Sequence, residues 1–152
     1  MVGAERLREV DRIVAAVHAW AVTDEQVHAV AVVGSYAAGR PRMSSDLDLV
    51  IVASAPKRLL PDIDCVSAAV GVHAAPVRER DWGRLRERRF RTPTGLDIDL
   101  GIVALSWLGT PVDPGTARVL RDGCQIVFDP EGVTAETLHS LGVTVRHWAG
   151  MQ

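Results

Sequence analysis

The organisation of this chain is clearest in residues 27–52, which read VHAVAVVGSYAAGRPRMSSDLDLVIV. The first seven are small or β-branched apolar residues with one histidine, a pattern typical of a strand buried on both faces. Gly34-Ser35 follows directly and predicts a short helix that ends near Gly39-Arg40-Pro41. Met43-Ser44-Ser45 then leads into a second apolar strand from Asp46 to Val52. The stretch therefore predicts a strand, a helical turn and a second strand.

Two pairs of aspartates lie on predicted strands that are otherwise apolar, and packing in a hydrophobic core does not explain them. Side chains alternate along a strand, so Asp46 and Asp48 point away from the apolar residues between and after them. Asp97 and Asp99 share one face of a later strand over residues 96–103 in the same way. If the two strands are neighbours, three or four carboxylates converge. Such carboxylates repel one another unless a cation neutralises them, and oxygen ligands suit Mg²⁺ or Mn²⁺.

The junction at Gly34-Ser35 predicts a phosphate-binding site beside this cluster. Glycine lets a phosphate approach the backbone, and free N–H groups at a helix start favour an anion. A phosphate site next to a metal site is typical of enzymes of phosphoryl or nucleotidyl transfer, in which two ions about 3.5–4 Å apart hold the attacking and leaving oxygens. An Asp-x-Asp or a Gly-Ser pair alone is usually an ordinary loop feature. The 11-residue step from Ser35 to Asp46, with a second acidic strand, favours the catalytic interpretation.

Residues 34–52, GSYAAGRPRMSSDLDLVIV, resemble the signature of the DNA polymerase β-like nucleotidyltransferase superfamily. Residues 95–101, GLDIDLG, are similar to the strand that carries its third carboxylate. The similarity spans roughly Val27 to Gly101 and is greatest to minimal nucleotidyltransferases and aminoglycoside adenylyltransferases. It implies a single-domain α/β (α+β) fold, a mixed sheet with helices packed on one face.

The resemblance also implies roles for individual residues. Gly34 and Ser35 would hold the β- and γ-phosphates of ATP or another nucleoside triphosphate. Asp46 and Asp48 would bind two Mg²⁺ ions, with Mn²⁺ as an alternative. The enzyme would transfer a nucleoside monophosphate, AMP in the first instance, to a hydroxyl of a small molecule or protein.

The third carboxylate is a choice between Asp97 and Asp99, either of which would complete the metal site or accept the proton of the acceptor hydroxyl. Asp97 is preferred because its spacing to Gly101 resembles the order in adenylyltransferases. The catalytic set is therefore Asp46, Asp48 and Asp97, and the metal ligands are these three with Asp99.

The chain departs from the family pattern in two places. Many minimal members carry arginine where Ala38 stands, so Arg40 or Arg42 would supply the positive charge for the phosphates. The larger enzymes also have a helical C-terminal domain that holds the acceptor, whereas about 50 residues follow Gly101 here. That domain is absent or its task falls to a partner. The alternative function is accordingly an antitoxin-like nucleotidyltransferase that binds or modifies a small helical toxin.

The remaining sequence predicts one domain over 1–152, with its motif region at 27–104 and a short C-terminal extension at 105–152. The further expected elements are helices at 4–22, 62–70, 116–121 and 134–141, extended segments at 72–80 and 84–91, a turn at 93–95, and a strand at 125–128. The oligomeric state stays open, a homodimer included.

Composition limits the classes of function. No apolar run is long enough for a membrane helix, and the first residues lack the layout of a signal peptide, so we expect a cytoplasmic protein with Cys65 and Cys124 reduced. A net charge of -2 gives no reason to expect nucleic acid as a partner. Seven arginines lie between Arg78 and Arg91. Because acidic residues interrupt them, they favour a solvated hairpin face over a surface that binds RNA or substrate phosphate.

Overall fold

The computed structural model describes residues 2–59, 75–82 and 85–149. Helices are α1 (Ala4–Thr23), α2 (Gly34–Ala37), α3 (Pro56–Leu59), α4 (Pro114–Asp122) and α5 (Val133–Ser140), with a 3-10 helix at Leu105–Leu108. Strands are β1 (Val27–Val33), β2 (Leu47–Ala53), β3 (Ala75–Trp82), β4 (Leu85–Arg91), β5 (Asp97–Ala104) and β6 (Cys124–Phe128).

These strands form one mixed sheet, which among the described residues has the order β3-β4-β5-β2-β1-β6. β2 and β5 run parallel, and the other neighbouring pairs are antiparallel. The predicted α/β class with a mixed sheet is confirmed. Because β6 pairs with β1 at one edge, the segment after residue 104 is built into the same sheet.

One face of the sheet is covered by α1. The helix buries an apolar stripe at three- and four-residue spacing, as an amphipathic helix does. This stripe packs on every second residue of the central strands. The buried set includes Val10, Ile13, Val14 and Val17 from α1, Leu47, Leu49 and Ile51 from β2, and Ile98, Leu100 and Ile102 from β5.

The opposite face is covered too, by the 3-10 helix, α4 and α5. The prediction that helices pack on one face was wrong in this respect. Val50, Val52 and Val103 point to that second face, where they pack with Trp107 and Leu120. The alternate residues of the central strands are therefore also apolar over part of their length, and burial of that surface requires a second layer.

A buried polar cluster fixes the start of α1 to the rest of the chain. Arg6 and Glu9 are 8% and 6% exposed and form an ion pair of 3.2 Å. The Arg6 guanidinium donates to the backbone oxygens of Met43 (3.2 Å) and Thr94 (3.1 Å). The Thr94 hydroxyl lies 2.8 and 2.7 Å from the two Glu9 carboxylate oxygens. The cluster thus connects α1 to the loop before β2 and to the β4–β5 turn.

The predicted elements agree well with the observed ones where both are defined. Strand β1 begins and ends as predicted, and the expected hairpin is β4 and β5, closed by Thr92 N–H donating to the Leu96 oxygen at 2.8 Å. The helix expected at 62–70 lies outside the described residues. The sequence did not indicate α3 or the 3-10 helix. Within the described ranges, no helix is long and apolar enough to span a membrane.

Candidate active site

The two acidic strands are direct neighbours in the centre of the sheet. β2 and β5 pair in parallel with Asp48 opposite Asp99 and Leu47 opposite Ile98. Because strand side chains alternate, this register points both aspartates to the second face while their neighbours enter the core under α1. The convergence expected from the sequence is therefore a consequence of adjacent strands in register.

Three carboxylates form the cluster. Asp46, Asp48 and Asp99 each offer one oxygen, and these three oxygens lie within 4.8 Å of one another. Asp46 immediately precedes β2, and Asp99 is 9% exposed. A partly buried set of oxygen donors fits a hard divalent cation such as Mg²⁺ or Mn²⁺. The cluster is therefore able to hold a metal ion.

Burial and the neighbouring negative charges raise the pKa values of two carboxylates in the cluster. Burial, followed by the charges and hydrogen bonding of Asp99 and the charge of Asp46, raises the pKa of Asp48 to about 7. The pKa of Asp46 is also raised, mainly by burial, while the positive charge of Arg89 opposes the shift. Without a metal ion, the cluster therefore holds a proton close to neutral pH, which a divalent cation would displace.

Arg89 on β4 is the cationic partner of these carboxylates. It pairs across the strands with Asp99, donating from Nε to Oδ1 at 2.6 Å and from Nη2 to Oδ2 at 2.7 Å. Nη2 also donates to Asp46 Oδ2 at 2.8 Å, and Nη1 lies 3.6 Å from Asp97 Oδ2. The hydrogen bond to Asp99, followed by the neighbouring carboxylate charges, raises the pKa of Arg89, so the guanidinium is charged throughout the physiological range.

Asp97 shares the face of Asp99, but its hydrogen bonds are to Arg91 and its contact with Arg89 is longer. Its carboxylate accepts from Arg91 Nε at 2.8 Å and from Arg91 Nη2 at 3.2 Å. The oxygens that group within 4.8 Å come from Asp99 and not from Asp97. The sequence-based choice of Asp97 as the third catalytic carboxylate stays a prediction, and the geometry favours Asp99 for that position.

Gly34 joins the cluster to the turn after β1. Its φ of +73° lies in the left-handed region, which disfavours residues with a side chain. A Cβ at this position would overlap Oδ2 of Asp48. Glycine therefore serves two purposes here, because it permits the backbone conformation and leaves room for the carboxylate.

A cavity of about 270 Å³ lies against Gly34 and the carboxylates. Sheet residues form one side and α4 the other. Among the described residues, its acidic lining consists of Asp48, Glu87, Asp99 and Asp122. Asp113 positions the start of α4 by accepting from the backbone N–H groups of Gly115 (3.0 Å) and Thr116 (3.3 Å).

The other predicted phosphate-binding residues lie at different places. Ser35 is half-buried in the first turn of α2, next to Gly34. Arg40 is exposed and lines a separate cleft of about 380 Å³ with Arg121 and Arg146. Arg42 is exposed in the loop before β2, where its backbone N–H donates to Ser45 Oγ at 2.8 Å. Neither arginine lines the cavity that contains Asp48 and Asp99.

The sequence reasoning missed Arg89. It treated the arginines between residues 78 and 91 as one solvated face. The signal was nevertheless present, because a tight turn at 93–95 closes the hairpin and fixes its register. Counting outward from that turn pairs Arg91 with Asp97 and Arg89 with Asp99, as observed.

Comparison with known proteins agrees with this geometry. Residues 21–91 match the nucleotidyltransferase domain family, a stretch that contains Gly34, Asp46, Asp48 and Arg89 and ends before Asp99. A search of curated proteins found no match. The predicted closeness to aminoglycoside adenylyltransferases stays a prediction. The matched domain, the mixed sheet and the paired aspartates together support a place in the nucleotidyltransferase superfamily.

Proposed function

We propose that this protein is a metal-dependent enzyme that transfers a nucleoside monophosphate, AMP from ATP in the first instance, to a hydroxyl of a small molecule or protein. The observation that carries the proposal is the grouping of Asp46, Asp48 and Asp99 within 4.8 Å beside the backbone of Gly34. The match to a nucleotidyltransferase domain supports the transferase class.

The charge of the cavity supports metal dependence. Four acidic residues line it in the part of the chain that the structure describes, and they would repel a triphosphate that entered without cations. Asp46, Asp48 and Asp99 would hold the divalent ion, Mg²⁺ or Mn²⁺. When bound, such an ion neutralises the triphosphate and polarises the bond that is broken.

The residues of the chain then have distinct roles. Gly34 and Ser35 would hold the terminal phosphates at the start of α2, beside the carboxylate of Asp48. The acceptor oxygen would attack the α-phosphorus and form the new ester bond. The bond from the α-phosphorus to the bridging oxygen breaks, and pyrophosphate leaves with that oxygen. The hydroxyl proton would pass to a carboxylate, for which we propose Asp99.

The experiment uses the purified chain with Mg²⁺ and ATP labelled at the α-phosphate. Fractionated small molecules and proteins are supplied as acceptors, and the other three ribonucleoside triphosphates are compared with ATP. We expect pyrophosphate release and transfer of label. The variant Asp46→Asn with Asp48→Asn should lose both while retaining a cooperative unfolding transition.

A matched control is Asp11→Asn. Asp11 is an exposed carboxylate on α1 that accepts a hydrogen bond from Trp148 Nε1 at 3.1 Å, away from the cavity. This variant should retain activity. Undiminished transfer by the Asp46/Asp48 double variant would show that the proposal is wrong.

A further inference from the structure

Arg89 occupies the oxygens that a metal ion would need. Its guanidinium bonds both oxygens of Asp99 and Oδ2 of Asp46, with three donor–acceptor distances between 2.6 and 2.8 Å. Asp46 and Asp99 are two of the three carboxylates whose oxygens group together. Bidentate guanidinium–carboxylate pairs are among the stronger polar contacts in proteins.

A guanidinium and a divalent ion are alternative ways to neutralise these carboxylates. Both bind carboxylate oxygens of Asp46 and Asp99, and the two positive charges repel one another at short distance. The Arg89 side chain is 20% exposed, so it lies at the edge of the site and not in the hydrophobic core. Its third acidic neighbour, Asp97 at 3.6 Å, remains close by.

We propose that Arg89 is an internal cation that competes with the divalent metal for Asp46 and Asp99, so that metal binding requires its guanidinium to leave them. The inference rests on the proposed function, since it assumes a metal at these carboxylates. Arg89 would stabilise the metal-free protein and weaken its affinity for metal in the absence of nucleotide. A triphosphate that brings its own bound cation would then favour release of the guanidinium.

The first test is Mn²⁺ binding without nucleotide, measured from the electron paramagnetic resonance signal of free Mn²⁺. Arg89→Gln should bind Mn²⁺ about tenfold more tightly than the wild type, because the guanidinium that competes for Asp46 and Asp99 is gone. Arg89→Lys keeps the charge but loses the bidentate geometry, and its affinity should fall between the two. Arg12→Gln removes an exposed positive charge from α1, on the other face of the sheet, and should leave Mn²⁺ affinity unchanged.

The second test is thermal unfolding. Without metal, Arg89→Gln should unfold at a lower temperature than the wild type because its carboxylates are no longer neutralised. Mn²⁺ should raise its unfolding temperature more than it raises that of the wild type. Arg12→Gln should respond to Mn²⁺ as the wild type does.

A third test needs no variant. The ¹⁵N signal of the Arg89 Nε–H group should shift as Mg²⁺ is titrated into the wild-type protein. Saturable Mg²⁺ binding that leaves this signal in place would overturn the inference.

The outcomes separate the inference from the proposed function. If Asp48→Asn abolishes Mn²⁺ binding but Arg89→Gln binds Mn²⁺ no more tightly than the wild type, the competition is refuted and the metal site stands. If neither the wild type nor Arg89→Gln binds Mn²⁺, the proposed metal-dependent function fails together with the inference.

Discussion

The backbone of Gly34 packs directly against the carboxylate of Asp48, so closely that a Cβ on Gly34 would overlap Oδ2 of Asp48. The two residues belong to different elements, the start of α2 and the strand β2. The position of the phosphate-binding turn and that of the carboxylate are therefore coupled by direct contact. A side chain added at Gly34 must therefore displace the carboxylate of Asp48.

Gly34→Ala should remove transferase activity and lower the free energy of unfolding. Gly39→Ala provides a matched control, because φ is +75° at Gly39 and +73° at Gly34, while a Cβ at Gly39 meets nothing within 4 Å. Both variants pay the backbone penalty of about 1–2 kcal/mol. The Gly34 variant should lose more stability than the control, and it alone should lose activity. Urea unfolding and pyrophosphate release provide the two measurements, and equal effects at both glycines would contradict the importance of the Asp48 contact.

The acidic cluster should make the stability of the metal-free protein depend on pH. The folded state raises the pKa of Asp48 from 3.8 to about 7, mainly by burial, and therefore favours its neutral form. The stabilisation from this residue is complete below about pH 4 and is lost as the pH rises through about 7. Asp48→Asn removes the dependence and should unfold with a free energy about 1–3 kcal/mol higher than the wild type at pH 8.

Urea unfolding in a chelating buffer at pH 5 and pH 8 measures this effect. The stability difference between Asp48→Asn and the wild type should grow with pH. A pH-independent difference for Asp48→Asn would contradict the assignment. Metal affinity of the wild type should rise with pH over the same range, because binding displaces the proton.

Asp99→Asn and Asp97→Asn distinguish the two candidates for the third carboxylate. Asp99 belongs to the group of oxygens within 4.8 Å, whereas Asp97 is bonded to Arg91. We expect Asp99→Asn to lower kcat by roughly 10²-fold or more, as loss of a group that stabilises the transition state does, and Asp97→Asn to have a much smaller effect. Steady-state kinetics with saturating Mg²⁺ and ATP measure both. The reverse ranking would restore Asp97 as the third carboxylate.

For the buried Arg6–Glu9 ion pair, removal of one partner should cost more stability than removal of both. Glu9→Leu leaves the Arg6 charge without its carboxylate and should destabilise the fold by about 3–5 kcal/mol. Arg6→Met together with Glu9→Leu removes both charges and should be less destabilising than Glu9→Leu alone. Urea unfolding of the two single variants and the double variant forms a complete cycle. Additive losses would show that the two side chains stabilise the fold independently.

The central part of the fold was predictable because its patterns are local. Strand β1 follows from a continuous run of apolar residues, and the break at Gly34 follows from glycine itself. The alternation in Asp46-Leu47-Asp48-Leu49 predicts which residues enter the core and which point to the site. In these segments, local conformation and tertiary burial require the same residues.

The features that were missed depend on how strands and helices pack against one another and not on the pattern within one segment. Arg89 acquires its role only because β4 lies beside β5, with Arg89 opposite Asp99. The second layer of helices arises because Val50 and Val103 need cover on the face opposite α1. Composition of the arginine-rich segment gave no indication of either relationship. The choice between Asp97 and Asp99 depended on the contacts of two side chains that share one face of a strand.

The parallel register of β2 and β5 has a consequence for misfolding of this protein. A slip of one residue in either strand would turn its aspartate into the core and its leucine or isoleucine into the cavity. A chain in that arrangement would lose its hydrophobic core together with its carboxylate cluster. The core and the carboxylate cluster thus require the same register. We therefore expect chains with mispaired strands to be unfolded or aggregated, not compact and inactive.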